Sequence, residues 1–137
     1  MKPVGPAIRD AQAMIAAMDA VLSPECYVFA STDDETLAAE AFATVHEEEG
    51  VSLVLEAGRA AALGFALDLP MRRITLRVHS ALDGVGLTAA VSHALAADGI
   101  PCNIVAAFHH DHVFVPVDCA ERALAILGAC QSTAKGA

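Results

Sequence analysis

Val78 to Asp118 reads VHSALDGVGLTAAVSHALAADGIPCNIVAAFHHDHVFVPVD, and the glycines near its start decide how the rest of the chain is read. Just upstream, Ile74, Leu76 and Val78 alternate with Arg73, Thr75 and Arg77, which predicts a half-buried strand from Arg73 to Val78. Ser80 to Gly86 is a loop holding Asp83 and two glycines, and it opens onto Leu87, Val91, Ala94 and Leu95 at helical spacing. Strand, glycine turn and helix start therefore follow one another. The first turn of a helix has backbone N–H groups without internal partners and a partial positive charge, so it can hold a carboxylate, and glycine lets the anion come close. Asp83 has two open roles, as acceptor for an ammonium group on the same ligand or as partner of the loop's own N–H groups.

Beyond this helix Gly99 and Pro101 form a stop signal. Asn103 to Phe108 and Val113 to Val117 read as strands, and His109, His110, Asp111 and His112 between them are few enough for a hairpin turn. Asp118 and Glu121 then open a second amphipathic helix along Ala120, Ala123, Leu124 and Leu127, ending at Gly128. The order is β-α-β-β-α.

Here the chain resembles the ACT-domain family. Asp83-Gly84-Val85-Gly86-Leu87 is similar to that family's D-x-x-G-L turn, with Leu95, Gly99-Ile100 and Asn103-Ile104 at the expected distances. More closely, Val78-His79-Ser80, Leu82, Val85 to Ser92 and His110 to Pro116 look like the bacterial two-ACT proteins of uncharacterised function, relatives of eukaryotic tandem-ACT arginine sensors. The resemblance implies an α+β fold of two ferredoxin-like (βαββαβ) lobes and a non-enzymatic regulatory module that binds a small molecule, commonly an amino acid. It also implies a homodimer with ligand sites between lobes. By analogy with the arginine sensors, Asp111 would pair with a cationic ligand side chain, which a guanidinium satisfies with two bonds.

Composition narrows the alternatives. A chain of 137 residues, 55% hydrophobic, can bury a real core. A net charge of −9 with eight Lys and Arg argues against nucleic acid, which needs clustered cations. Arg72, Arg73 and Arg77 do cluster, and read as the solvated face of a strand. No apolar run approaches the roughly twenty residues that span a bilayer, and no signal-peptide core follows Met1, so the expected setting is cytoplasmic. Cys26, Cys102, Cys119 and Cys130 have no metal-like spacing and are expected as reduced thiols.

The first half fits the family more loosely. Pro3, Gly5 and Pro6 suit a loose arm, Ala11, Met14, Ile15, Met18 and Leu22 trace one helix face, and Ser23-Pro24 ends it. Glu25 to Ser31 reads as a strand, Thr32 to Glu40 as a short capped helix without a glycine turn, and Ala43 to Leu55 as a hairpin around Glu48-Glu49-Gly50. Glu56 to Leu63 is a helix stopped by Gly64. The stretch from His46 to Gly64 repeats, weakly, the pattern from His109 to Gly128. The expected division is residues 1–68 for an N-terminal helix and a degenerate ACT-like lobe, 69–129 for an ACT domain, and 130–137 for a flexible tail.

Three chemistries compete. The residues expected to touch a ligand are Ser80, Asp83, Gly84, Val85, Gly86, Leu87, Thr88, Asn103, Ile104 and Asp111. In this reading the N–H groups of Val85 to Thr88 take a carboxylate, the Asn103-Ile104 strand edge takes an ammonium across an interface, and Asp111 reaches the side chain. No cofactor, catalytic residue or membrane contact is expected. The second reading is a structural or protein-interaction module whose glycine turn serves packing alone. The third is a metal site at His109 to His112, weakened because successive side chains of a hairpin point to different sides.

Overall fold

The computed structural model describes residues 5–136. Met1 to Val4 and Ala137, parts of the expected arm and tail, lie outside them. The elements are α1 (Ala11–Ala16), β1 (Ala20–Thr32), a 3₁₀ turn (Glu35–Glu40), β2 (Ala43–Glu47), β3 (Gly50–Glu56), α2 (Ala57–Ala62), β4 (Met71–Leu76), α3 (Leu87–Ala97), β5 (Asn103–Ala106), β6 (Asp111–Pro116), a short 3₁₀ segment (Val117–Cys119) and α4 (Ala120–Lys135). The strands form one antiparallel sheet in the order β2-β3-β1-β4-β6-β5. No helix among the described residues is long and apolar enough to cross a membrane.

Each lobe borrows a strand from the other. The start of β1 pairs with β4 (Ala20 with Leu76, Leu22 with Ile74), the register shifts between Leu22 and Cys26, β4 is met again at Cys26 and Tyr27, and from Tyr27 to Thr32 the strand pairs with β3 as far as Thr32 with Val51. The first lobe is therefore β1, the 3₁₀ turn, β2, β3 and α2, closed by β4. The second is β4, α3, β5, β6 and α4, closed by the beginning of β1. Lobes of this size would each be marginal alone, and sharing strands lets them bury a common centre.

The sequence places the first helix too far. It predicts one helix face through Leu22, but α1 stops at Ala16 and Leu22 lies in β1. Asp19, at φ 46°, turns the chain, and the Met18 carbonyl accepts from Arg77 N–H at 2.9 Å, which draws the next residues into the sheet. Pro24 does not end an element either. It sits in the register shift, where a residue without N–H is tolerated.

The expected flexible tail is also corrected, since α4 continues through Gly128 to Lys135. Gln131 explains why: its Nε2 donates to the Ala16 carbonyl at 3.0 Å and its Oε1 accepts from Asp19 N–H at 3.2 Å. That side chain links α4 to the turn leaving α1. Gln131→Ala is expected to cost about 1–2 kcal/mol in urea denaturation, because Asp19 N–H and Ala16 C=O lose their partner together. A third correction concerns the second hairpin. Its turn closes with Ala107 N–H on the His110 carbonyl at 3.1 Å, and Asp111 is already sheet, paired with both Ala106 and Leu76.

Packing divides into a helical side and an aromatic side. Ile74, Leu76, Val113 and Val115 lie beneath α1, α3 and α4 with Met14, Met18, Leu95 and Leu127, while Val28, Leu53 and Leu55 pack with Ala60 of α2. On the opposite face, Tyr27, Val54, Met71 and Phe114 are buried with no helix over them. Sheet curvature covers them instead. The Phe42 ring, beside β2, lies 4.9 Å from the His112 ring on β6, whereas four strand spacings in a flat sheet span roughly 19 Å. The sheet thus curls around an aromatic core in which the Tyr27 and Phe42 rings meet Phe114 edge to face at 5.6 and 5.9 Å.

His112, inside that curl, makes folding sensitive to acid. Burial, then the charges of Arg73 and His110, lower its pKa from 6.5 to about 4. The folded state holds the ring neutral, so its contribution is complete above pH 6.5 and is lost as pH falls toward 4. The loss is expected at about 1–2 kcal/mol after solvent screening. Denaturant melts of the wild type and His112→Gln between pH 7 and 4 check this, the variant being the flatter of the two.

Candidate functional site

The residue pattern places a recess where β4, α3 and the β5–β6 hairpin meet. Gly86, at φ 117° and ψ −20°, turns the loop into α3, and no side chain caps this helix start. The first lobe is built differently at its equivalent corner. There Asp34 accepts from Thr36 N–H at 3.0 Å, so the 3₁₀ turn is capped by its own chain. Only the second of these two corners offers donors to a ligand.

The recess has a volume of about 130 Å³ and gathers Ser80, Gly84, Gly86, Leu87 and Thr88 from the turn and Asp111 from β6. Ala106 and Ala107, absent from the sequence expectations, form its hairpin wall. Their small side chains at the end of an edge strand were the available signal. Asp111 is only 8% exposed and has no ion-pair partner among the described residues. Burial raises its pKa, an effect partly offset by a hydrogen bond from the Ser80 hydroxyl and by the charge of His110. An unpaired buried carboxylate is costly, and a cation delivered by a ligand would relieve that cost.

Four expected residues stand elsewhere. Asp83 binds Arg9 at 2.9 Å, on the outside of the loop, and that arginine holds its carboxyl below the usual range. Its partner here is therefore an arginine of the N-terminal segment. Val85 points into solvent at 80% exposure. Asn103 and Ile104 do lie on an edge strand, but at the end away from the turn, and Asn103 lines a separate cavity of about 520 Å³ beside Phe29 and Leu69. That larger space lacks both an open helix start and an unpaired buried charge, so the smaller recess has the stronger chemical claim.

The N-terminal segment braces the turn from behind. Ile8 N–H donates to the His79 carbonyl at 2.9 Å, and Ala81 N–H returns to Ile8 at 2.8 Å. A Cβ on Gly86 would lie 2.8 Å from the Ala11 Cβ, and one on Gly84 would lie 3.2 Å from the Met14 Cε. The glycines therefore let α1 pack close, besides shaping the recess.

Strand alternation sends His110 and His112 to one face and Asp111 to the other, and among the described residues no three His, Cys, Asp or Glu side chains converge on a point.

Comparison with known proteins finds one family twice along the chain. A family model described as an ACT domain matches residues 6–72, and another so described matches residues 69–129. No curated protein matches. Among solved structures, a Vibrio cholerae protein of unknown function, described as a possible transport protein, is 38% identical with TM-score 0.79 and covers 88% of this chain and 94% of its own. The regulatory subunit of aspartate kinase from Thermus thermophilus shares the fold at 14% identity and TM-score 0.57, covering 84% of this chain and 98% of its own. An Agrobacterium tumefaciens protein does so at 18% identity and TM-score 0.59, covering 77% and 81%.

Proposed function

The chain belongs to the ACT-domain family as a tandem pair, and from that membership we propose that it is a non-enzymatic sensor holding an amino acid in the recess between the Gly86 turn and Asp111. ACT domains are regulatory modules that bind small molecules. The single observation that carries this assignment is the pairing of an uncapped helix start with a buried carboxylate that has no ion pair among the described residues, across one small recess. A zwitterion with a cationic side chain answers both. Its carboxylate would accept from the N–H groups of Leu87 and Thr88, and its cationic group would meet Asp111. A recess of about 130 Å³ is below the usual range for small-molecule pockets, which suits a site finished by a second copy. Leu82 and Phe108, exposed at 73% and 66% beside the recess, supply an apolar rim for that homodimer contact.

The packing-only reading draws on the contact between Gly86 and Ala11. Thermal-shift scanning with the amino acids separates the two. The sensor predicts stabilisation by lysine or arginine worth about 2–3 kcal/mol at a hundredfold the dissociation constant. A flat response to every amino acid at millimolar concentration leaves the turn with packing alone.

A further inference from the structure

Arg72, Arg73 and Arg77 look, as sequence, like charges on a wet strand face. Arg73 is otherwise placed. Its guanidinium lies 4.4 Å from the Phe42 ring centroid and 5.5 Å from that of Tyr27, inside the curl of the sheet. Nη1 donates to the Thr75 hydroxyl at 3.2 Å and Nη2 to the Ser23 hydroxyl at 3.4 Å, while Nε is buried without a partner. Nδ1 of His110 is likewise buried and unpartnered. Both residues line one cavity of about 410 Å³, with Arg77 at its edge.

The charge pattern makes this unusual. The chain carries a net charge of −9, and Arg9, Arg59 and Arg122 each find a carboxylate. Among the described residues, the arginines without an ion pair are the three of this cluster. The acid in the cavity lining, Glu25, accepts from the Ser23 hydroxyl and feels the charges of Arg73 and Arg72 at longer range, without an ion pair to either. A guanidinium has five donors, and here the bonded ones meet only neutral oxygens at long distance. We propose that this cavity is a second ligand site, on the face opposite the Asp111 recess, for a small molecule bearing a phosphoryl or carboxylate group, with Arg73 and Arg77 as its cationic contacts and His110 beside them. The volume falls in the range of small-ligand pockets and exceeds what a bare ion needs.

Isothermal titration of the full chain with inorganic phosphate, and separately with succinate, tests this against sodium chloride at matched ionic strength. Saturable heat with either probe is expected, and whichever binds tighter identifies the ligand as phosphoryl or carboxylate. Arg77→Gln, a change at an exposed residue, should weaken binding about tenfold, and Glu25→Gln should strengthen it by removing a competing charge. Arg73→Lys keeps the charge but loses the planar fork, and should also weaken it. Absence of saturable heat with both probes overturns the proposal, as does binding indifferent to both Arg77→Gln and Glu25→Gln.

Discussion

Gly86→Val is expected to cost about 2–6 kcal/mol of folding stability and to abolish stabilisation by any amino acid. Two penalties add. Valine strongly resists φ near 117°, a strain on the order of 1–3 kcal/mol, and its Cβ would sit 2.8 Å from the Ala11 Cβ, an overpacking cost of about 1–3 kcal/mol. The second penalty can be isolated. Ala11→Gly in the Gly86→Val background should return the packing part and leave the backbone part, so the double-mutant cycle shows a coupling of at least about 1 kcal/mol. A loss below about 1 kcal/mol in the single variant would mean that α1 is not held against the turn.

Asp111→Asn is expected to move stability and binding in opposite directions. Its carboxyl pKa is raised in the fold, so the charged form is penalised: the folded state is favoured while the group is protonated, and that advantage disappears as pH rises through the folded pKa. At neutral pH the ligand-free asparagine variant should therefore be at least as stable as the wild type. Binding of arginine or lysine should fall by about 2–4 kcal/mol, thirtyfold or more, because the cation loses its buried partner. Urea denaturation without ligand and titration calorimetry with arginine supply the two numbers. A residue serving the fold alone would lose stability and leave any binding unchanged.

How much of this was readable from the chain depended on the range of the forces. The glycine turn, the helix after it and its end at Gly99 are local, and the Ile100 N–H returns to the Leu95 carbonyl at 3.0 Å as the stop signal implies. Leu22 was ambiguous because positions 14, 18 and 22 fit a helix face while 20 and 22 fit alternation in a strand. The choice was made by Met18 pairing with Arg77, some sixty residues away. Gln131 looked like a tail residue because its partners, Ala16 and Asp19, are more than a hundred residues distant. Asp111 was recognised as a candidate, but its place at the start of β6 follows from pairing with Leu76. That pairing turns it toward the recess and its histidine neighbours toward the aromatic side. The two alternatives offered for Asp83 both missed Arg9, which the N-terminal segment brings in by pairing with Ser80.

Amide chemical-shift mapping tests the central claim most directly. With isotopically labelled protein titrated with arginine, lysine and a neutral amino acid in turn, saturable shifts are expected at Leu87, Thr88 and Asp111 for a basic amino acid. Asp34 and Thr36 at the capped first-lobe corner should stay still. Shifts that avoid Gly84 to Thr88 and Asp111 for every amino acid, at concentrations up to tens of millimolar, would contradict it.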